Sequence, residues 1–227
     1  MKKISYSNVV VKKPWGQEYV CLNNKKKLCI TLVEINPNQK TSLHSHPIKK
    51  TGFVILSGKA QVQIGLHQKN KFIYKPKSIL VLRPGLFHSI KSIGKKKLLA
   101  LEVESPVDKN DLVRVKDNYG RKNKSYEGIN KISRIKKNFF KMKMPKNKSV
   151  NRYSFQKLSF NLANYKDLSK FSKKVKKGSV SIVINGCLIN SKNKIGVNYG
   201  EIVKTETIKI LSKYFYVKKE ITILKIE

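Results

Sequence analysis

Short apolar runs broken by turn residues dominate the first half of the chain. Each run has the length of a β-strand, and Pro, Gly, Asn or Lys separates it from the next. The runs cover residues 28–35, 52–56, 59–64, 71–74, 79–82 and 98–103. Several short strands at this spacing are typical of a sandwich, a jelly roll or a barrel. The pattern therefore predicts an all-β fold for this half.

The pattern changes between residues 122 and 148, where lysine and asparagine crowd the chain. Some apolar residues here are spaced three or four apart, as in a short amphipathic helix. They are Ile129, Ile132, Ile135, Phe139 and Phe140. We interpret 122–150 as a connector with room for one helix. Its charge run is typical of a solvated face rather than of a binding arm.

Residues 151–227 return to a β pattern in a register that repeats the first half. Sliding the chain by 123 positions aligns 70–104 with 193–227 without a gap, and alternating apolar positions match throughout. A match of this kind predicts an internal duplication of one β unit. The alternative is two unrelated runs of Lys/Ile-rich strands that match through biased composition.

The four histidines are His44, His46, His67 and His88. Residues i and i+2 of a strand project to one face, so His44 and His46 point together into the space that the sheet encloses. An apolar core does not satisfy the polar nitrogens of two imidazoles without a cost in free energy, whereas a divalent metal binds both. His88 follows a turn at 83–85 that starts a strand back towards the same cavity. We predict a metal site from these three, and a solvated His67 in the polar turn 66–70.

The charge of the chain suggests a polyanion partner, but the residue types weaken that reading. Lys+Arg is 50 against Asp+Glu 13, which gives a formal net charge of +37. Such a surface attracts phosphate backbones and anionic membranes. Nucleic-acid readers favour arginine, whereas the excess here is almost wholly lysine, a residue that an AT-rich genome over-encodes. No zinc finger, basic zipper or aromatic RNA-binding motif accompanies the charge, so nucleic acid is not the predicted partner.

Other features of composition limit the class of protein. A hydrophobic content of 40% is enough for a buried core. The three cysteines are an odd number without CxxC spacing, which argues against a disulfide framework or a cysteine zinc site. No apolar run approaches the roughly 18 residues of a membrane span, and residues 1–15 lack the apolar stretch of a signal peptide. We expect a cytoplasmic protein with no membrane partner.

The histidines lie in segments that resemble the two cupin motifs. The first motif is a glycine, five residues, His-x-His, three or four residues, Glu, six residues and Gly. His44, His46 and Gly58 match it, while Asn38 stands at the first glycine and Thr51 at the glutamate.

The second cupin motif is Pro-x-Gly-x-x-His followed by Asn. Gly85 and His88 match it, Pro84 is displaced by one position, and Ser92 stands at the Asn. The resemblance implies an all-β cupin double-stranded β-helix, that is, a jelly-roll barrel, with a metal inside.

The chain is more closely similar to one branch of the cupins, the type II mannose-6-phosphate isomerase domain. Lys-Pro-Trp-Gly at 13–16 resembles the opening of that domain, and Asp-Leu-Val-Arg-Val-Lys-Asp-Asn-Tyr-Gly-Arg at 111–121 resembles its closing motif. The resemblance covers 12–121. It implies a metal-dependent enzyme of carbohydrate metabolism acting on a phosphorylated sugar or sugar nucleotide, most simply by aldose/ketose isomerisation.

The resemblance also implies the ligand set, which is three histidines and one glutamate around a divalent cation. His44, His46 and His88 keep the histidines, whereas Thr51 removes the anionic ligand and leaves its position to water or substrate. Three-histidine sites are chemically sound, as open catalytic zinc sites show. Zn, Mn, Fe and Ni are not distinguished.

Further residues are candidates for contacts with an anionic sugar substrate. Arg121 or Arg114 would hold an anionic group, because guanidinium binds phosphate bidentately. The alternative for both arginines is an ion pair, with Asp111 or Asp117 in the case of Arg114. Trp15 would stack on a sugar ring or close the core. Lys50, beside the metal strand, is a candidate base or phosphate contact.

We therefore expect a cupin barrel with the metal site over 1–121, a connector over 122–150, and a degenerate cupin-like unit over 151–227. The last segment contains no histidine, so it packs on the first unit, lengthens its sheet or forms a homodimer surface. The alternative function is a non-catalytic sugar- or metal-binding module, which the missing glutamate favours. The segment 111–121 favours the enzyme. Oxygenase or lyase chemistry at a three-histidine site is also open.

Overall fold

A computed structural model describes residues 6, 8–25, 27–122, 131–135, 139–146, 149–172 and 175–227. It divides the chain into two compact units, Met1–Lys141 and Met142–Glu227. Strands account for most of the regular structure, which confirms the predicted all-β class.

The first unit contains twelve strands among its described residues. They are β1 (Val9–Lys13), β2 (Gly16–Asn24), β3 (Leu28–Ile35), β4 (Leu43–Ser45), β5 (Lys50–Ser57), β6 (Lys59–Ile64), β7 (Lys71–Tyr74), β8 (Ile79–Leu82), β9 (His88–Ile93), β10 (Leu98–Ser105), β11 (Val113–Lys116) and β12 (Ile132–Arg134). A seven-stranded sheet has the order β12-β1-β2-β3-β10-β5-β8, and a five-stranded sheet has the order β11-β4-β9-β6-β7.

The core of this unit is shared by the two sheets. Val33 and Phe53 of the larger sheet join Val62 and Ile90 of the smaller sheet in one buried cluster. Side chains alternate between the two faces of a strand, so every second residue of a strand, such as Val33 and Ile35 of β3, points into this cluster. Full burial of each such side chain contributes roughly 1.5–3 kcal/mol. The result is the cupin double-stranded β-helix that the sequence predicts.

The predicted helix of the connector is wrong where the structure describes it. Ile132 lies in β12, which pairs antiparallel with β1 at the edge of the larger sheet. An edge strand offers unpaired backbone N–H and C=O groups, and pairing with it outweighs a weak helical spacing. Ile129 lies outside the described residues.

The second unit contains eight strands and two short helices among its described residues. They are β13 (Val150–Phe155), β14 (Leu158–Tyr165), α1 (Ser169–Ser172), β15 (Val180–Asn185), β16 (Cys187–Ile189), β17 (Ile195–Asn198), β18 (Ile202–Lys204), α2 (Thr205–Leu211), β19 (Tyr216–Val217) and β20 (Ile221–Ile226). Its sheets have the orders β13-β14-β20-β15-β18 and β17-β16-β19.

These orders repeat those of eight strands of the first unit. The series β2-β3-β10-β5-β8 corresponds to β13-β14-β20-β15-β18, and β9-β6-β7 corresponds to β19-β16-β17. One end of each sheet differs: β12 and β1 of the larger sheet and β11 and β4 of the smaller sheet have no counterpart among the described residues of the second unit. The second unit also has α2 between β18 and β19. The second unit therefore shares the strand order of the first over these eight strands.

Two glycines mark the same corner in both units. Gly58 follows β5 with φ +81°, and a Cβ there would lie 2.6 Å from the carbonyl oxygen of Lys97. Gly186 follows β15 with φ +78°, and a Cβ there would likewise clash with the carbonyl oxygen of Glu220. Lys97 and Glu220 are 123 positions apart, whereas the glycines are 128 apart. The predicted register thus holds from residue 70 onwards, and the preceding hairpin is five residues shorter in the second unit.

Candidate metal centre and active site

Three histidines converge inside the first barrel. His44 lies on β4 and pairs in register with His88, the first residue of β9, while His46 follows β4 directly. The ring centroids are 4.4 Å apart for His44 and His88, 5.0 Å for His44 and His46, and 5.5 Å for His46 and His88. The structure therefore brings the three predicted ligands together.

Backbone carbonyl groups orient all three imidazoles. Nδ1 of His44 lies 2.8 Å from the carbonyl oxygen of Ser42. Nδ1 of His46 lies 2.6 Å from the carbonyl oxygen of Asp111, and Nδ1 of His88 lies 3.1 Å from that of Leu86. A carbonyl only accepts, so each Nδ1 carries and donates the proton, and the lone pair of each neutral ring lies on Nε2.

The remaining ring nitrogens fit a divalent cation. The Nε2 atoms of His46 and His88 are buried and have no hydrogen-bond partner within the described part of the chain. One ligand nitrogen from each of the three histidines lies within 4.8 Å of the others. Neutral imidazoles oriented through Nδ1 are the usual arrangement of a metal-binding histidine.

Burial keeps these rings neutral. Desolvation lowers the pKa of His46 to about 3 and that of His88 to about 4, and the nearby positive charge of Lys49 lowers both further. Burial also moves the pKa of His44 well below 6.5, with the other two histidines acting in the same direction. The three nitrogens are therefore available as ligands at neutral pH.

Thr51, at the position of the family's glutamate, lies buried on β5 beside Glu104 of β10. Its Oγ1 has no hydrogen-bond partner among the residues that the structure describes. The side chain is not among those that line the cavity around the histidines. A contact between Thr51 and a substrate stays a prediction.

The carboxylates of the cavity come from another strand. The cavity has a volume of about 70 Å³, and Glu102 and Glu104 line it together with the histidines. They follow Leu98 and Ala100 at every second position of β10, the face that continues into the core. Neither glutamate was predicted from the sequence. The available signal was two acids at i and i+2 at the end of an otherwise apolar strand.

Two lysines hold one of these glutamates. Lys49 Nζ lies 2.5 Å from Glu104 Oε1, and Lys109 Nζ lies 2.5 Å from Oε2. Lys49 also donates to the carbonyl oxygen of Asp108 at 3.0 Å. Lys50, the predicted base, is not among the described side chains that line the cavity, because successive residues of a strand point to opposite faces. The inward lysine is Lys49.

The two glutamates have pKa values displaced in opposite directions. Burial, then the charge of Glu104, raises the pKa of Glu102 to about 8. Burial alone would also raise the pKa of Glu104, but the charges of Lys109 and Lys49 and their hydrogen bonds lower it far below its usual range. One carboxyl is therefore protonated near neutrality and its neighbour is ionised.

Asp111, the first residue of the segment 111–121, supports the metal strand. Its carboxylate accepts the backbone N–H of Ile48 at 3.1 Å and that of Lys49 at 2.8 Å. Its carbonyl oxygen accepts the Nδ1 proton of His46. The aspartate thus holds both the ring of His46 and the backbone of Ile48 and Lys49, which follow it.

Both predicted arginines line the cavity. Arg114 is buried on β11 and pairs in register with His44. Arg121 binds the carboxylate of Asp117, with Nη2 2.8 Å from Oδ1, and its guanidinium lies 5.4 Å from the ring centroid of Tyr119. Asp117 is therefore the ion-pair partner of Arg121.

Trp15 belongs to the buried core cluster and also lines the cavity, and its stacking on a sugar ring stays a prediction. Lys13 and Glu18 line the same cavity and form an ion pair at 3.5 Å. His67 is exposed in the turn after β6, as predicted.

The model of the family described as Mannose-6-phosphate isomerase C-terminal matches residues 2–117, half of the chain. The chain belongs to this family. The predicted resemblance is thus confirmed over residues 2–117, which include the histidines, the glutamates and Arg114.

Curated relatives match the same half of the chain. The xanthan biosynthesis protein XanB of Xanthomonas campestris pv. campestris is 29% identical over 117 residues, which are 49% of this chain and 23% of that protein. A mannose-1-phosphate guanylyltransferase of Klebsiella pneumoniae is 27% identical over 111 residues, 48% of this chain and 23% of that protein. The chain thus spans about a quarter of the length of these relatives. It contains a cupin domain related to sugar-phosphate isomerase and nucleotidyltransferase proteins.

Solved structures similar to the chain include the capsular polysaccharide assembling protein CapF of Staphylococcus aureus, with a TM-score of 0.43, 16% identity, and coverage of 50% of this chain and 34% of that chain. A Klebsiella pneumoniae protein with a double-stranded β-helix domain gives a TM-score of 0.39, 17% identity, and coverage of 51% and 85%. Within the described part of this chain, helices are too short or too polar to cross a bilayer.

Proposed function

We propose that the first unit is a metal-dependent isomerase that interconverts an aldose phosphate and a ketose phosphate. The observation that carries the proposal is the convergence of the three histidines beside Glu102 and Glu104 in one cavity. Membership of the mannose-6-phosphate isomerase C-terminal family supports the choice of substrate class.

His44, His46 and His88 would hold the cation through Nε2. A divalent ion there acts as a Lewis acid that polarises the carbonyl and hydroxyl oxygens of the substrate. Three neutral ligands leave its double charge uncompensated, which suits an anionic sugar. The second unit has no histidine, so we assign the metal site to the first unit alone.

Glu102 is our candidate for the proton transfer. Isomerisation removes the proton on C2 of the aldose, passes through an enediol and adds a proton to C1, while the hydroxyl proton moves from O2 to O1. A carboxyl group with a pKa near the working pH both accepts and returns a proton effectively. Glu102 meets this condition, whereas Glu104 is held as a carboxylate by two lysines.

The cavity offers cationic groups for the phosphate of the substrate. Arg114 and Arg121 line it together with the histidines. They would hold the phosphate there, because guanidinium groups bind phosphate bidentately. Trp15 lines the same space and would contact the carbon chain.

A second candidate is a module that binds the sugar without catalysis. The specific observation in its favour is Thr51, which stands at the position of the family's glutamate ligand and adds no charge to the centre.

Metal content of the purified protein tests the ligand assignment. We expect a divalent ion in stoichiometric amount in the wild-type protein, and its loss from the His44→Ala variant. The His67→Ala variant is the matched control, because His67 is exposed outside the cavity, and it should keep the metal. Equal metal content in the wild type and in His44→Ala would refute the assignment.

NMR spectra of mannose 6-phosphate and fructose 6-phosphate, incubated in heavy water with metal-loaded protein, test the reaction. We expect interconversion with deuterium entering at C1 or C2. The Glu102→Gln variant should keep its metal and lose the exchange, while Glu34→Gln, outside the cavity, should behave as the wild type. Saturable shifts without exchange would establish the binding module instead, and the absence of both would refute both candidates.

A further inference from the structure

The smaller sheet of the first unit carries a second polar surface on the face opposite the histidines. Along β9, His88 and Ile90 point inwards, while Ser89 and Lys91 alternate with them. Along β6, Val62 belongs to the core. Gln61 and Gln63 on the same strand therefore point outwards, since the side-chain period of a strand is two.

A groove of about 550 Å³ lies on this outer face. Cross-strand neighbours form its floor, with Gln61 opposite Lys91 and Gln63 opposite Lys71. Lys40 and Lys116 complete a set of four lysines, and none of the described residues that line the groove is an aspartate or a glutamate. The groove is much larger than the histidine cavity and is open to solvent.

The groove combines two kinds of hydrogen-bonding group. Six of its lining residues carry side-chain amides, namely Asn38, Gln39, Gln61, Gln63, Gln68 and Asn118. An amide donates and accepts at once, so it matches the hydroxyl groups of a sugar. A lysine ammonium is a point charge with three donors, which matches a carboxylate without requiring planar geometry.

We propose that this groove binds an acidic oligosaccharide, that is, a sugar chain that carries carboxylate groups. The amides of β6 would bind sugar hydroxyls, and Lys71 and Lys91 on the strands either side would bind the carboxylates. The groove would then hold a glycan chain on the side of the sheet away from the histidine cavity.

The surface suits a glycan better than a nucleic acid. Proteins that bind single strands stack the bases on aromatic side chains. Tyr119 is the only aromatic residue among the described lining residues. Its hydroxyl donates to Gln39 Oε1 at 2.8 Å, and the guanidinium of Arg121 lies over its ring. No arginine lines the groove to bind phosphates bidentately.

Isothermal titration calorimetry with tetragalacturonic acid at physiological ionic strength tests the proposal. We expect saturable binding of one oligosaccharide per chain and no binding of neutral maltotetraose. The double variant Lys71→Gln/Lys91→Gln should weaken binding about tenfold or more, since two charge-assisted contacts are lost. The matched control is Lys95→Gln/Lys96→Gln, which removes two exposed lysines outside the groove and should stay within about twofold of the wild type.

Three outcomes would overturn the proposal. Equal weakening in both double variants would show attraction by the general charge of the chain. Absence of saturation by tetragalacturonic acid would show that no glycan site exists. Tighter binding of a single-stranded oligonucleotide that depends on Lys71 and Lys91 would identify a nucleic-acid surface. The His44→Ala variant should bind the oligosaccharide as the wild type does, so the result does not depend on the proposed isomerase.

Discussion

Glu102 and Glu104 lie two residues apart on one face of β10, yet their pKa values are displaced in opposite directions. Glu104 is clamped between Lys49 and Lys109, whereas burial and the charge of Glu104 act on Glu102. Environments that separate the pKa values of neighbouring carboxyls are characteristic of acid–base chemistry. The pair, more than either residue, defines the chemistry of the cavity.

The raised pKa of Glu102 predicts a pH-dependent stability. The folded protein binds this proton more strongly than the unfolded chain, so the contribution is complete below pH 4.5 and is lost as the pH rises to about 8. With chelator present, the free energy of unfolding of the wild type should fall relative to Glu102→Gln over that range, by up to about 1.4 kcal/mol per pH unit. Urea titrations at several pH values measure the difference. A constant difference would contradict the assignment.

The buried histidines predict the opposite pH dependence in acid, where the free energy of unfolding falls as the pH is lowered. Their folded pKa values lie below 6.5, so their contribution is present above pH 6.5 and is lost as the pH falls through about 4 and then 3. In chelator, the wild type should lose stability more steeply than His88→Gln between pH 6.5 and 4. His67→Gln should follow the wild type. Urea unfolding across this range checks both, and equal slopes in His88→Gln and wild type would refute the prediction.

Substitution of Lys49 should lower the free energy of unfolding much more than substitution of Lys50. Lys49→Met removes one partner of the buried Glu104 carboxylate and should cost about 3 kcal/mol of unfolding free energy. Lys50→Met changes a half-buried side chain outside the cavity and should cost less than about 1 kcal/mol.

The double variant Lys49→Met/Glu104→Gln should recover part of that loss, because it removes the uncompensated charge. Chemical denaturation measures all three variants. If Lys50→Met proved the more damaging of the two single variants, the inward register of β5 would be wrong.

Gly58 predicts a steric requirement at the corner after β5. An alanine there would place its Cβ 2.6 Å from the carbonyl oxygen of Lys97 at φ +81°. We expect a loss of about 3 kcal/mol from the clash and the left-handed backbone together. Gly65→Ala, at φ +78° with open space around it, should cost only the backbone term of about 1 kcal/mol. Thermal unfolding of the two variants compares them, and equal losses would exclude the clash.

The fold was largely predictable because strand alternation is a local property. The six predicted apolar runs correspond to β3, β5, β6, β7, β8 and β10 within a few residues. The 123-residue register also holds, since Ile79 and Ile202 both begin strands at the same place in their sheets. The connector was the exception, because pairing of β12 with β1 depends on a distant strand edge.

The site was predictable only where its residues lie close along the chain. His44 and His46 share a face through their spacing of two, and the turn before His88 indicated a returning strand. The cavity is lined by Lys49 and not by the predicted Lys50, because a step of one residue moves a side chain to the other face of the sheet. Glu102 and Glu104 carried no motif and were missed.

The sequence by itself determined the β architecture, the duplication and the three histidines, because these depend on periods of two and on motifs within one segment. Only the tertiary structure decided what surrounds them. Asp111 orients His46 across 65 positions of chain, and Lys49 meets Glu104 across 55. Contacts at such separations arise when strands pair and the two sheets close on one core, and burial in that core then displaces the pKa values of the groups that meet there.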